Sequence, residues 1–182
     1  LKKTLEDTNH SFTLNNSVAI GEIVTYEVRL AIPPGPVNDL VLSDTVDRGL
    51  AFVDCESITS SLTDSLVSSA GSLDQICTSG MQISDLVSTP SNPADEGRIM
   101  HINFGTLTNV DEFPQVLIVR YRVVVLDTLE NVRDLTLQNL AEWSWGGINS
   151  LPLDPPSPVV IVEPELAIDK SVNPTVTFPG NP

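Results

Sequence analysis

Residues 135–145 constrain the fold of this chain most strongly. Read with a period of two, Leu135, Leu137, Asn139, Ala141, Trp143 and Trp145 share one face, and Thr136, Gln138, Glu142 and Ser144 share the other. Leu140 is the single apolar exception. Such alternation marks a half-buried strand, and here it aims an amide, Asn139, into the strand's own core. A buried amide that loses its hydrogen bonds costs about 1–3 kcal/mol, so a dedicated partner is expected beside it. Two other strands do the same with a charged group. Leu1, Lys3 and Leu5 alternate with Lys2 and Thr4, which turns Lys3 inward, and Leu40, Leu42, Asp44 and Val46 share a face, which turns Asp44 inward. A lysine, an acid and an asparagine therefore converge on one apolar core. Lys2 in place of Lys3, and Asp39 or Asp47 in place of Asp44, are the competing assignments.

At 182 residues the chain can bury a sizeable core as one large domain, or as one domain and a fragment. Val, Thr, Ser, Leu, Pro, Asp and Asn dominate and aromatics are few, a composition of strands and turns. The net charge of −15 argues against nucleic acid or an anionic membrane as partner, since both would be repelled. No apolar run is long enough to span a bilayer, and no signal peptide or lipidation motif is present. The first residues already read as strand, so the sequence is expected to be a piece of a longer exported polypeptide.

Along the chain, residues 1–5, 12–20, 23–32, 37–46, 50–58, 81–87, 98–104, 115–126 and 135–145 read as strands. The Pro33-Pro34-Gly35-Pro36 cluster reads as a corner or sheet edge. Residues 59–79 form a weakly patterned insert, with a short helix expected near 62–67. Seven or more short strands separated by turn signals predict an all-β fold, an immunoglobulin-like antiparallel β-sandwich, with an up-and-down barrel as competitor. Cys55 and Cys77 lie at the two ends of the insert. A disulfide there would close a loop of about twenty residues, contribute roughly 3 kcal/mol and point to an oxidising compartment; two free thiols are the alternative.

The sandwich is expected over residues 1–158, followed by a linker and the first strand of a following repeat over 159–182. Leu166, Ile168, Lys170 and Val172 repeat the alternation of Leu1, Lys3 and Leu5, a period of about 167 residues that predicts a tandem array. An apolar first strand without its own sheet seeks an edge elsewhere. Residues 164–182 are accordingly expected to insert as a donor strand into a neighbouring copy.

The segments GEIVTYEVRL (21–30), LSDTVDRGLAFV (42–53), FGTLT (104–108) and LQNLAEW (137–143) together resemble the repeated immunoglobulin-like domains of large bacterial surface proteins. These are similar in turn to the isopeptide-forming shaft domains of Gram-positive fimbriae. The shared features are a glycine before a "TY" strand, an Asp-Thr strand end and an Asn-x-Ala last strand. The resemblance implies a lysine on the first strand joined to an asparagine on the last, with a nearby acid promoting the bond. The matching positions are Lys3, Asn139 and Asp44. The insert between Cys55 and Cys77 departs from that pattern.

Amide exchange of this kind requires a neutral amine, which a dry core favours by disfavouring the ammonium; the same core keeps the acid protonated. No cofactor and no metal are needed, and the protein would be its own substrate, not an enzyme acting on others. No Gly-x-Ser-x-Gly, His-Glu-x-x-His or phosphate-binding glycine loop occurs. His10 and His101 are expected to be surface or strand residues. Asp127, Glu130, Asn131 and Asp134 read as a solvated turn in preference to a calcium loop. Trp143 and Trp145 read as core packing in preference to a sugar platform. The sequence thus points to a structural repeat of an extracellular, cell-surface fibre, stalk or adhesin whose partners are neighbouring copies. The alternative is an adhesive module that binds a carbohydrate or protein.

Overall fold

Residues 115–125 alternate without a break, and they form an interior strand of the larger architecture. The computed structural model describes residues 2–9, 13–86, 89, 91–154, 156, 158–163 and 171. In chain order its strands are β1 (Lys2–Thr8), β2 (Ser17–Val18), β3 (Ile23–Ile32), β4 (Gly35–Val46), β5 (Leu50–Ser60), β6 (Leu66–Ser68), β7 (Met81–Ser84), β8 (Ile99–Asn109), β9 (Gln115–Val125), β10 (Thr136–Leu137), β11 (Asn139–Trp145), β12 (Asn149–Pro152) and β13 (Val159–Ile161). One short helix, α1 (Leu73–Gln75), runs on into a π-helical turn at Ile76–Gly80.

One sheet has the order β1-β3-β9-β5 and is antiparallel throughout. The facing sheet has the order β12-β11-β4-β8-β6, with β7 pairing alongside β6 on the outer edge of β8. Leu117, Val119, Tyr121, Val123 and Val125 of β9 meet Leu40, Leu42 and Val46 of β4, Met100, Ile102 and Phe104 of β8, and Trp143 of β11 in one continuous core. This is an immunoglobulin-like antiparallel β-sandwich. In β4 a bulge sets the phase: the ladder to β8 shifts around Leu40, with Asp39 in the left-handed region at φ 51°. Beyond it Leu40, Leu42, Asp44 and Val46 all face inward. A bulge adds one residue, so the face on which every later side chain falls depends on it.

Cys55 and Cys77 are joined in a disulfide, with Cα atoms 5.2 Å apart, and it pins the insert to β5. Within the insert the expected helix at 62–67 is absent. Leu62 and Leu66 mimic helical spacing, but residues 66–68 pair with β8 as β6. The helix comes later, where Ser72 and Gln75 form a reciprocal capping box.

Other expectations change in detail. Of the described residues in 13–20, only Ser17 and Val18 are strand. The stretch 135–145 is broken at Gln138, whose backbone turns to bond Asp47. Gly146 and Gly147, which read as the start of a loop ahead of the linker, adopt positive φ and turn the chain into a hairpin that pairs β12 with β11. Residues 159–161, also expected to be linker, pair antiparallel with β10 and parallel with β2. Val159 and Ile161 are core residues, so the sandwich packing runs on past residue 158. The expectations for residues 164–182 lie outside the described residues, Ser171 apart.

β1 runs away from the end of the sandwich that holds Ile32 and Gly35, while β13 sits at the other end, beyond the Asp47–Gly49 turn between β4 and β5. The described chain therefore starts towards one end and finishes at the opposite end.

Candidate functional site: a buried Lys-Asp-Asn cluster

Strand pairing brings the three polar residues into one core. Lys3 lies opposite Val28 on β3, in the first sheet. Asp44 and Asn139 lie in the facing sheet: Asp44 is opposite Ala141, and Asn139 is two residues along the same face of β11. All three are buried, at 3%, 1% and 1% exposure. Lys3 Nζ donates to Asp44 Oδ2 at 2.7 Å across the space between the sheets. Asp39, by contrast, is exposed in the β4 bulge, and Asp47 bonds the Gln138 backbone. Lys2 is also exposed.

Two buried tyrosines, Tyr26 and Tyr121, border the cluster. Tyr26 and Tyr121 pair across β3 and β9 with ring centroids 6.1 Å apart. Lys3 Nζ lies 5.1 Å and 5.7 Å from the two centroids. Tyr121 hydroxyl donates to Asp44 Oδ2, the same oxygen that receives Lys3. The available signal was an inward-facing tyrosine on each of two apolar strands, since a buried phenol usually finds a partner.

The environment moves these groups towards their neutral forms. Burial disfavours the Lys3 ammonium and lowers its pKa to about 8, against the pull of Asp44. Burial likewise raises Asp44, opposed by the Lys3 charge and by its hydrogen bonds to Lys3 and Tyr121. Both phenols are pushed up by burial and by Asp44, with the nearby Asn139 amide acting weakly in the opposite sense.

Three atoms in the cluster are buried without a well-formed hydrogen bond: Asp44 Oδ1, Asn139 Oδ1 and Asn139 Nδ2. Each such atom costs about 1–3 kcal/mol, and native cores hold few of them. Here they belong to two diagonal neighbours on one sheet face. An amine and an acid both shifted towards their neutral forms, beside an amide without a well-formed hydrogen bond, are the groups that an amide exchange requires.

The remaining candidates do not assemble. His101 is exposed and pairs with Ser43 Oγ at 2.9 Å, and His10 lies outside the described residues. Glu130 accepts from Asn92, while Asn131 Nδ2 donates to the carbonyls of Gly49 and Leu126. Among the described residues no group of three His, Cys, Asp or Glu side chains is gathered for a metal. Trp143 is core, its ring tilted against Phe104 at 5.8 Å between centroids, and Trp145 is half-buried.

The fold and cluster define an immunoglobulin-like sandwich with a buried lysine-acid-asparagine triad. Among solved structures, the chain named BspA_C_WT matches it with a TM-score of 0.53 at 13% identity, covering 91% of this chain and 50% of that one. Domains D2 and D3 of the major pilin SpaD from Corynebacterium diphtheriae match with a TM-score of 0.49 at 15% identity, over 87% of this chain and 50% of that one. The pilus backbone protein RrgB from Streptococcus pneumoniae matches with a TM-score of 0.48 at 13% identity, over 80% and 31%. The protein thus spans half or less of the length of each of these three. No family model and no curated protein matches the sequence.

Proposed function

We propose that this protein is a load-bearing repeat of an extracellular bacterial surface fibre or stalk, and that it ties itself shut by an amide bond between Lys3 and Asn139 with Asp44 as the proton-transfer group. The observation that carries the reading is the buried Lys3–Asp44 contact beside a buried Asn139 amide that makes no well-formed hydrogen bond. The reaction balances without a cofactor. Neutral Lys3 Nζ attacks Asn139 Cγ and gives one proton to Asp44. Asp44 returns a proton to the departing Nδ2, which leaves as ammonia, and the Nζ–Cγ amide remains. Holding the reactants in contact supplies effective molarities of about 10⁵ M or more. The event happens once per chain, so it is maturation and not turnover.

The path of the chain supports the mechanical part of the reading. Force applied at the two ends of the described chain is applied at opposite ends of the sandwich, as in a unit pulled in series. The Cys55–Cys77 disulfide fits an oxidising, extracellular setting. Among the described residues no helix is long and apolar enough to cross a membrane. Neighbouring copies are the proposed partners, reached by strand insertion of residues 164–182. Intact mass of the purified protein tests the bond: the expected value is one ammonia below that calculated from the sequence with the disulfide formed. A protein at full mass removes the crosslink from the reading.

The adhesive alternative has one observation in its favour. The insert forms a cleft of about 550 Å³ against β5 and β6, with Thr59, Thr63, Asp64, Ser72 and Asp74 among its lining residues. Hydroxyls and carboxylates of this kind suit a polar ligand such as a glycan. Saturable binding on a glycan array, lost when Asp64 and Asp74 are replaced by alanine, would establish that second role.

A further inference from the structure

We infer that Tyr121 is a positioning residue for the Lys3–Asn139 reaction: its hydroxyl holds the Asp44 carboxyl so that Oδ2 receives the proton from Lys3 while Oδ1 carries the proton delivered to Asn139. This rests on the crosslinking reading above and adds to it a residue that the lysine-acid-asparagine triad does not contain.

The argument is geometric. Asp44 Oδ2 accepts from two donors, Lys3 Nζ and Tyr121 hydroxyl. Both belong to the sheet facing Asp44, Lys3 on β1 and Tyr121 on β9. Oδ1 has no partner. The unengaged Asn139 amide lies in Asp44's own sheet, diagonal to it through the Ala141–Asp44 pair. The carboxyl is thus oriented through Oδ2 by two donors from the facing sheet, and Oδ1 is left without a well-formed hydrogen bond.

Lysine alone is a poor clamp for this purpose. Its ammonium is a point donor on a flexible stem, and it leaves the Oδ2 bond as soon as Nζ moves onto Cγ. The terminal torsion of an aspartate is broad and nearly two-fold, so a carboxyl held by one departing donor can exchange its oxygens. Tyr121 does not move in this way. It is fully buried, with Tyr26 6.1 Å away on one side and Phe52 5.7 Å away on another. Its hydroxyl stays on Oδ2 throughout the exchange and takes no net part in it. Bond making and breaking are those already given: the Nζ–Cγ bond forms, the Cγ–Nδ2 bond breaks, one proton passes from Nζ to Oδ2, one passes from Oδ1 to the amide, and ammonia leaves.

The test uses the full chain and Tyr121→Phe, which keeps the ring and removes only the hydroxyl. Each is made by cell-free synthesis, sampled into acid at intervals and followed by intact mass for loss of one ammonia over a range of pH. Retention of the Cys55–Cys77 disulfide and of the β circular dichroism signal reports that the variant folds. The expected result is bond formation at least tenfold slower in Tyr121→Phe, with the alkaline fall of the rate moved to higher pH, because the lost hydrogen bond had favoured the carboxylate. Wild type that loses ammonia beside a variant with the same rate and the same profile overturns this inference and leaves the crosslink standing. Wild type that keeps its ammonia overturns both. A second measurement does not need the reaction: in an Asn139→Ala background, the carboxyl carbon of Asp44 is titrated by NMR with and without the Tyr121 hydroxyl. A midpoint raised on removing the hydroxyl is expected, and an unchanged midpoint overturns the role given to Tyr121.

Discussion

Lys3 Nζ and Asp44 Oδ2 stand 2.7 Å apart between two sheets, with both side chains shielded from solvent. A pair of this kind is not a natural source of stability, because desolvating the two charges costs about as much as their attraction returns. It becomes intelligible as a reaction site, where the same desolvation prepares a neutral amine and a neutral acid. Asp44→Ala is therefore expected to fold but to keep its full mass, since no group remains to move the protons. Losing the tie releases a loop of well over a hundred residues in the unfolded chain, about 5 kcal/mol by loop entropy. The expected fall in melting temperature is about 10–20 °C, read by calorimetry against wild type. An Asp44→Ala protein that still loses ammonia would exclude Asp44 as the proton-transfer group.

The rate of bond formation should depend on pH through Lys3. Burial lowers its pKa to about 8, and only the neutral amine attacks. Below that value the reactive fraction grows tenfold for each pH unit, so the rate should rise about tenfold between pH 6 and pH 7 and level off above pH 8. Asp44 is raised by burial and so keeps its proton to higher pH than an ordinary carboxylate; its ionisation sets the fall on the alkaline side. Mass sampling of newly made chain across this range checks the profile. A rate flat from pH 6 to pH 8 would mean that the amine is not the titrating reactant.

Gly49 closes the turn between β4 and β5 at φ 96°, and a Cβ added there would lie 2.1 Å from Asn131 Oδ1. Asn131 cannot move away freely, because its Nδ2 donates at 2.8 Å to the carbonyls of both Gly49 and Leu126. Gly49→Ala is expected to destabilise the fold by about 2–4 kcal/mol, from strain at positive φ together with loss of those two bonds. Denaturant unfolding of the variant measures it. A loss below 1 kcal/mol would show that the Asn131 brace is not needed.

The inward faces of the long strands were legible because alternation is a local signal. Ile23–Ile32 and residues 115–125 carry it without interruption, and Lys3, Asp44 and Asn139 stand out as polar residues in apolar phases. The β4 bulge at Asn38 and Asp39 lies just before the phase that was read, so it did no damage. What escaped was short or non-local. β13 is three residues long and gains its place by parallel pairing with β2, far away in sequence, which no window of residues announces. Gly146 and Gly147 read only as the start of a Gly- and Pro-rich loop, although paired glycines are equally the mark of a hairpin turn. Tyr121 follows the inward phase of β9, but its bond to Asp44 depends on how two sheets approach each other, and composition carries no trace of that.

The position of Asn139 also determines how much of the sandwich the bond can protect. A Lys3–Asn139 amide encloses β2 to β10 within the tie, but β12, β13 and all of β11 after its first residue lie outside it, in residues 140–163. Pulled from its two ends, the linked protein is expected to yield first there, by peeling β13 from β2 and β10 and then opening the β11–β12 hairpin. Fully extended, residues 140–163 reach about 80 Å, whereas an unlinked chain over residues 2–163 with the Cys55–Cys77 disulfide intact reaches about 480 Å. Single-molecule force spectroscopy should therefore show one short extension of no more than about 80 Å in wild type, and a release several times longer in Asn139→Ala. Wild type that unravels to the same length as Asn139→Ala would show that no covalent tie carries the load.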